Sequence, residues 1–142
     1  MRPPAADERR SELMRRVRQR RTQPEERVAV ALRRAGVRYR RNVRDLDGSP
    51  DFASKSRRWA IFVHGCFWHR HPDCHRTTTP KHNREFWQTK FQANVERDSR
   101  KLDALARVGF KTLVIWECES KNPDQLDAML SDFFEPGGIE GR

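Results

Sequence analysis

Between residues 62 and 75 the chain reads FVHGCFWHRHPDCH, which places four histidines and two cysteines within fourteen positions. Scattered along a chain, such residues would be core thiols and surface imidazoles; crowded like this, they point to a metal. Cys66, His71 and Cys74 fall within nine residues, and Cys118 comes just after the run KTLVIW, whose end can return it to the same place. Thiolate sulfur and imidazole nitrogen suit the borderline softness of Zn2+, and a closed tetrahedral set of three sulfurs and one nitrogen leaves no reactive position. A structural zinc is therefore expected. Spacing leaves the nitrogen ligand open among His69, His71 and His75, with His71 preferred.

The elements on either side must position these residues. Upstream, Thr22 and Pro24 open a helix, PEERVAVALRRAG, with Glu25 and Glu26 early, apolar Val28, Ala31, Leu32 and Ala35, and Gly36 as its stop. VRYRRNV, PDFA and WAIFV, separated by the turns DLDGSP and SKSRR, read as consecutive strands of an antiparallel meander. Downstream of the polar loop TTTPKHN, a long helix starts at Arg84, carries Trp87, Phe91, Val95, Leu102 and Leu105 near one face, and stops at Gly109. KTLVIW is expected to be a buried strand. Asn122 and Pro123 then open a last helix lined by Leu126, Met129, Leu130, Phe133 and Phe134. Strands followed by a helix and another strand predict an α/β fold, a mixed β-sheet flanked by helices.

Charge separates the chain into regions. Residues 1–44 hold 15 Arg and 5 acidic residues, whereas residues 45–142 hold 15 basic and 15 acidic ones, so the whole net charge of +10 lies in the first third. Every base there is Arg, whose planar fork matches phosphate oxygens, and nucleic acid is the expected partner. Residues 1–20 are expected to form a basic arm or helix, with Leu13, Met14 and Val17 as a thin apolar stripe that orders on DNA. Residues 21–135 are expected to form a single domain, and residues 136–142, with Gly137, Gly138 and IEGR, a linker or tag. No apolar run approaches a membrane span and no hydrophobic segment follows the first arginines. A cytoplasmic chain without membrane contact is expected.

Pro50 and Asp51 open a strand whose hairpin partner, WAIFVHG, runs back beside it, so Asp51 and the Val63–His64 segment should converge. That geometry resembles the PD-(D/E)xK restriction-endonuclease-like core, although the second carboxylate and lysine of that pattern are missing, since the adjacent strand reads Phe62, Val63, His64. PDF, IFVHGCFWH, REFWQTKFQANVERD and LVIWEC together closely resemble the very-short-patch-repair (Vsr) DNA mismatch endonucleases over about residues 10–134. The resemblance implies an endonuclease fold with a structural zinc, and nicking of duplex DNA at T:G mismatches left by deamination of 5-methylcytosine. It makes Asp51 a Mg2+ ligand, helped by the backbone carbonyl of Val63 and by phosphate oxygens, with two Mg2+ ions implied. It makes His69 the general base for the attacking water, places His64 at the phosphate, and gives Glu25 a supporting role. Two departures stand out: Val63 occupies a position where the family often has Thr, and the zinc loop HRHPDC is one residue longer.

Phe67 and Trp68 lie between a zinc ligand and the implied base, on a loop too polar to bury them easily, and Trp87 opens the long helix nearby. These are expected to wedge into the base stack. Unstacking costs a few kcal/mol and aromatic stacking returns about 1–3 kcal/mol per base, so the balance is near zero on normal duplex and favourable at a weakened pair. Met14 matches a family position entering from the minor groove, while Lys90 and Asn94, one turn apart, are candidates for base-edge contacts. A monomer is expected, with mismatch-repair proteins as candidate further partners. Two other readings fit the residues: a related Mg2+-dependent endonuclease with a different target, and a zinc-stabilised DNA-binding module without catalysis.

Overall fold

The computed structural model describes residues 22–135. The expected arm over residues 1–20, with Met14, and the expected linker over residues 136–142 lie outside them. Helix α1 (Gln23–Arg34) is followed by strands β1 (Arg40–Arg41), β2 (Phe52–Ser54) and β3 (Trp59–His64), a short helix α2 (Cys66–His69), the long helix α3 (Arg84–Arg107), strand β4 (Lys111–Trp116), a 3-10 turn (Glu119–Lys121) and helix α4 (Pro123–Phe133). Apart from α2 and the 3-10 turn, this is the order the sequence predicts.

The helix boundaries follow local chemistry. The Thr22 hydroxyl accepts a hydrogen bond from the Glu25 N–H at 3.3 Å, and Asn122 does the same for the Gln125 N–H at 3.1 Å. Each cap is worth about 1 kcal/mol, and Pro24 and Pro123 sit in the first turns, where no intrahelical N–H is lost. Gly36 and Gly109 end α1 and the turn after α3 with φ of 73° and 86°.

The sheet runs β1-β2-β3-β4, with β1, β2 and β3 antiparallel and β3 parallel to β4. Alternation along the strands divides the core in two. Phe52, Trp59, Ile61 and Ile115 face α1 and α4, where Leu32, Leu126, Leu130 and Phe133 meet them. Ala53, Ala60, Phe62 and Val114 face the other way, onto Leu102 and Leu105 of α3. The sheet is thus the middle of three layers, and burial of each large apolar side chain contributes about 1.5–3 kcal/mol.

Three expectations are corrected here. Of VRYRRNV only two residues form strand β1, because Val37 still bonds back to Leu32 at the end of α1 and Asn42 turns to φ 51°. KTLVIW is an edge strand, so only Ile115 is fully buried. On α3, Val95 is exposed and Asn94 takes the buried position, since its amide donates to the Trp68 carbonyl at 3.3 Å. Among the described residues, no helix is long and apolar enough to cross a membrane.

Candidate active site and metal centre

The hairpin of β2 and β3 and the parallel pairing of β3 with β4 gather the chemistry at one end of the sheet. The Val63 N–H donates to Asp51 Oδ2 at 2.7 Å, so the aspartate and the end of β3 converge as the hairpin predicts. Burial pushes the Asp51 carboxyl up to about 7, against the Val63 hydrogen bond, and the charge of Glu25 adds to the rise. Glu25 itself is raised by burial, opposed by its hydrogen bond with Thr22. Carboxyl groups raised in this way are hard oxygen donors of a kind that fits a divalent cation such as Mg2+.

The raised Asp51 carboxyl has a measurable consequence. Between 3.8 and about 7 the folded chain keeps a proton that the unfolded chain has released, so stability falls as pH rises through that window and stays low above it. In zinc-loaded, Mg2+-free protein, Asp51→Asn is expected to melt above the parent, by a margin that grows by about 2 kcal/mol between about pH 5.5 and pH 8. Melting curves at the two pH values provide the check; a margin that does not change would exclude Asp51 titration as its source.

His64 closes β3 and is buried, with its pKa lowered to about 3 by burial and then by the neighbouring His69. It is neutral at working pH. The His69 ring stacks on it, with centroids 3.9 Å apart and planes 7° from parallel. His69 Nδ1 lies 2.6 Å from Asp98 Oδ2 on α3. Burial alone would raise the Asp98 carboxyl, but the hydrogen bond from His69, with nearby positive charge that includes Lys101, outweighs it and holds Asp98 low. An ionised Asp98 fixes the Nδ1–H tautomer of His69 and leaves Nε2 with a lone pair, the arrangement a general base requires. Donor atoms of His64, His69 and Asp98 all lie within 4.8 Å of one another. Asp98 was not singled out from the sequence, although it ends the quoted REFWQTKFQANVERD run and lies one helical turn beyond Asn94.

Immediately beyond His64 stands the sulfur cluster. Ligand atoms of Cys66, His71, Cys74 and Cys118 all lie within 4.8 Å of one another, and His71 Nδ1 is 3.7 Å from Cys66 Sγ and 3.4 Å from Cys118 Sγ. Of the three histidines that spacing left open, His71 sits in the cluster, its ring stacked on Trp116 at 4.4 Å, whereas His75 is exposed and His69 faces Asp98. Three thiols and an imidazole fit zinc. Burial pushes the Cys66 thiol up to about 12, a cost that a bound cation would remove by taking the thiolate. The loop is locked to β4 by Glu117, whose carboxylate accepts from the Cys66 N–H and from Arg76, both at 3.3 Å. Arg70 and Asp73, at φ 58° and 57°, turn the chain sharply within the lengthened loop.

The aromatic residues are placed differently from the expectation. Trp68 is 7% and Trp87 1% exposed, packed with Phe91 in a small core of their own, and Phe67 and Phe86 are half-buried at its edge. The loop was expected to be too polar to bury Trp68; α2 folds it onto α3, and helix supplies the apolar surface. The Trp87 indole N–H has no acceptor among the described residues. Lys90 lies over the Trp68 ring at 5.9 Å. In this arrangement Asn94, Trp68 and Trp87 face protein, so presenting them to a base stack requires the small core to open.

A model of the family described as DNA mismatch endonuclease Vsr matches residues 5–76, which include Glu25, Asp51, His64, His69 and three residues of the sulfur cluster. The chain belongs to the Vsr family. Relatives match over more of the chain. The type II nicking enzyme V.XorIIP of Xanthomonas oryzae pv. oryzae is 43% identical over 129 residues, covering 91% of this chain and 94% of the relative. DNA mismatch endonuclease Vsr of Escherichia coli is 39% identical, covering 89% of this chain and 81% of that protein. The type II nicking enzyme V.NmeAIP of Neisseria meningitidis is 40% identical over 80% of each. Membership in the Vsr family makes the chain a DNA mismatch endonuclease.

Proposed function

We propose that this endonuclease is Mg2+-dependent and nicks one strand of duplex DNA at T:G mismatches arising from 5-methylcytosine deamination, initiating very short patch repair. The observation that carries the reading is the His69–Asp98 pair, stacked on His64 beside Asp51, in a chain of this family. Asp51, with the Val63 carbonyl and phosphate oxygens, would hold Mg2+, two ions being proposed; bound there, divalent cations would supply Lewis-acid stabilisation of the attacking and leaving oxygens. His69 Nε2 takes the proton of the attacking water, Asp98 keeps that nitrogen free and aimed, His64 donates to the phosphate as a neutral imidazole, and Glu25 orients the water. Cys66, His71, Cys74 and Cys118 hold one structural zinc in a PD-(D/E)xK-like core. With the small core of Trp68, Trp87 and Phe91 opened, Phe67, Trp68 and Trp87 would probe the stack and Lys90 and Asn94 would read base edges, while Met14, within residues 1–20, would enter the minor groove. The domain is residues 21–135, acting as a monomer in the cytoplasm, with residues 136–142 as a linker.

Relatives named as nicking enzymes support cleavage of one strand only. The test is nick mapping on T:G and T:A duplexes with varied flanks, with and without Mg2+. Expected is a nick in one strand, dependent on Mg2+, at least about 10-fold faster on the T:G duplex, equivalent to ~1.4 kcal/mol. Equal rates on both duplexes would favour an endonuclease of different target, and binding without nicking would favour a non-catalytic module.

A further inference from the structure

The strand that follows Asp51 in the hairpin carries Phe62, Val63 and His64, and none of these provides the lysine that a PD-(D/E)xK core places beside its aspartate. On the long helix, a lysine packs its stem against the turn that leads to Asp51. On α3, Asn94 bonds to the Trp68 carbonyl and Asp98 to His69, and Lys101 follows at the next turn of the same face. Its stem lies flat on Gly48, in the turn leading to Asp51. A Cβ at position 48 would stand 2.8–2.9 Å from Cβ, Cγ and Cδ of Lys101, and Gly48 has φ 79°, so this close approach requires glycine. The stem is thereby held beside the Asp51 turn, half-buried, and among the described residues its ammonium forms no ion pair.

We infer that Lys101 is a further catalytic residue, a helix-borne cation that holds a non-bridging oxygen of the phosphate brought between Asp51 and His69, supplying from α3 what the strand lacks. This rests on the site described under the proposed function. The charge of Lys101 already acts on the whole site: it favours ionisation of Asp51 and Asp98 and disfavours protonation of His64. An ammonium so placed neutralises the phosphate as negative charge builds on its oxygens, and a dry, preorganised setting makes that contact count.

The test compares the zinc-loaded parent with Lys101→Met, Lys101→Arg and Asp51→Ala on a T:G duplex. Single-turnover nicking is measured at saturating enzyme with Mg2+, and binding without Mg2+ across a range of salt. Lys101→Met is expected to nick about 10- to 100-fold more slowly. Its slope of log affinity against log salt should be shallower by about 0.9, the loss of one phosphate contact. Lys101→Arg should recover most of the rate, because it keeps the cation. Nicking by Lys101→Met within about twofold of the parent would overturn the inference, as would an Arg variant as slow as the Met variant with an equally lowered melting temperature, which is the signature of a brace. If Lys101→Met nicks normally while Asp51→Ala is inactive, Lys101 alone loses its role. If Asp51→Ala also nicks normally, the site itself is misplaced and the inference falls with it.

Discussion

Asp51→Ala and His69→Ala are expected to bind a T:G duplex within a few-fold of the parent and to nick it at least about 1,000-fold more slowly. The two losses have different causes. Asp51 is the half-buried carboxylate just before β2, bonded to the Val63 N–H and pushed up to about 7 by desolvation; such a group gains most from a divalent cation, and alanine removes the anchoring charge. His69 loses the lone pair on Nε2 that the Nδ1 contact with Asp98 keeps available. Neither change touches the small core of Trp68, Trp87 and Phe91 or the sulfur cluster, so binding and fold should survive. Single-turnover nicking alongside a binding titration checks this. Near-parent nicking by either variant would refute that residue's role, and loss of binding together with nicking would assign it to structure instead.

Removal of zinc, or Cys118→Ala, is expected to unfold the segment from Cys66 to Cys74 and to bring down the domain with it. The cluster joins residues from both sides of the long crossover between β3 and β4, with Cys66 buried at the start of α2 and Cys118 beyond the end of β4. Apparent zinc binding in small peptides amounts to roughly 10–16 kcal/mol, comparable with the about 5–15 kcal/mol of total stability in a domain of ordinary size. The metal is thus expected to contribute on the scale of the whole. Zinc content and melting curves check the result: one zinc per chain in the parent, loss of metal and of cooperative melting in Cys118→Ala, the same in His71→Ala, and full retention in His75→Ala. Full zinc retention in His71→Ala would remove His71 from the ligand set.

The distance between neighbouring residues in sequence explains what could be read from it. Thr22 with Pro24, Asn122 with Pro123, and the hairpin that brings Asp51 to Val63 all depend on contacts of a few residues' span or on a turn whose chemistry is explicit. The sulfur cluster was legible because its ligands are chemically rare, and only the choice between His71 and His75 needed coordinates. The partner of His69 was not legible, because Asp98 lies 29 residues away on a helix whose rotation about its axis no local pattern sets. The same holds for the burial of Trp68 and Asn94, where an amphipathic pattern that named Val95 as core was overruled by a hydrogen bond to a backbone carbonyl on α2.

What the sequence by itself determined is the set of elements, their order, and which rare side chains belong together. The tertiary structure alone decided their facing: the docking of α3 on one face of the sheet puts Asn94, Asp98 and Lys101 opposite Trp68, His69 and Gly48. The reason is physical. Capping and turn formation are local free-energy choices made within a few residues, whereas the azimuth of a docked helix is fixed by the sum of many weak contacts across the layers, which no short stretch of sequence carries.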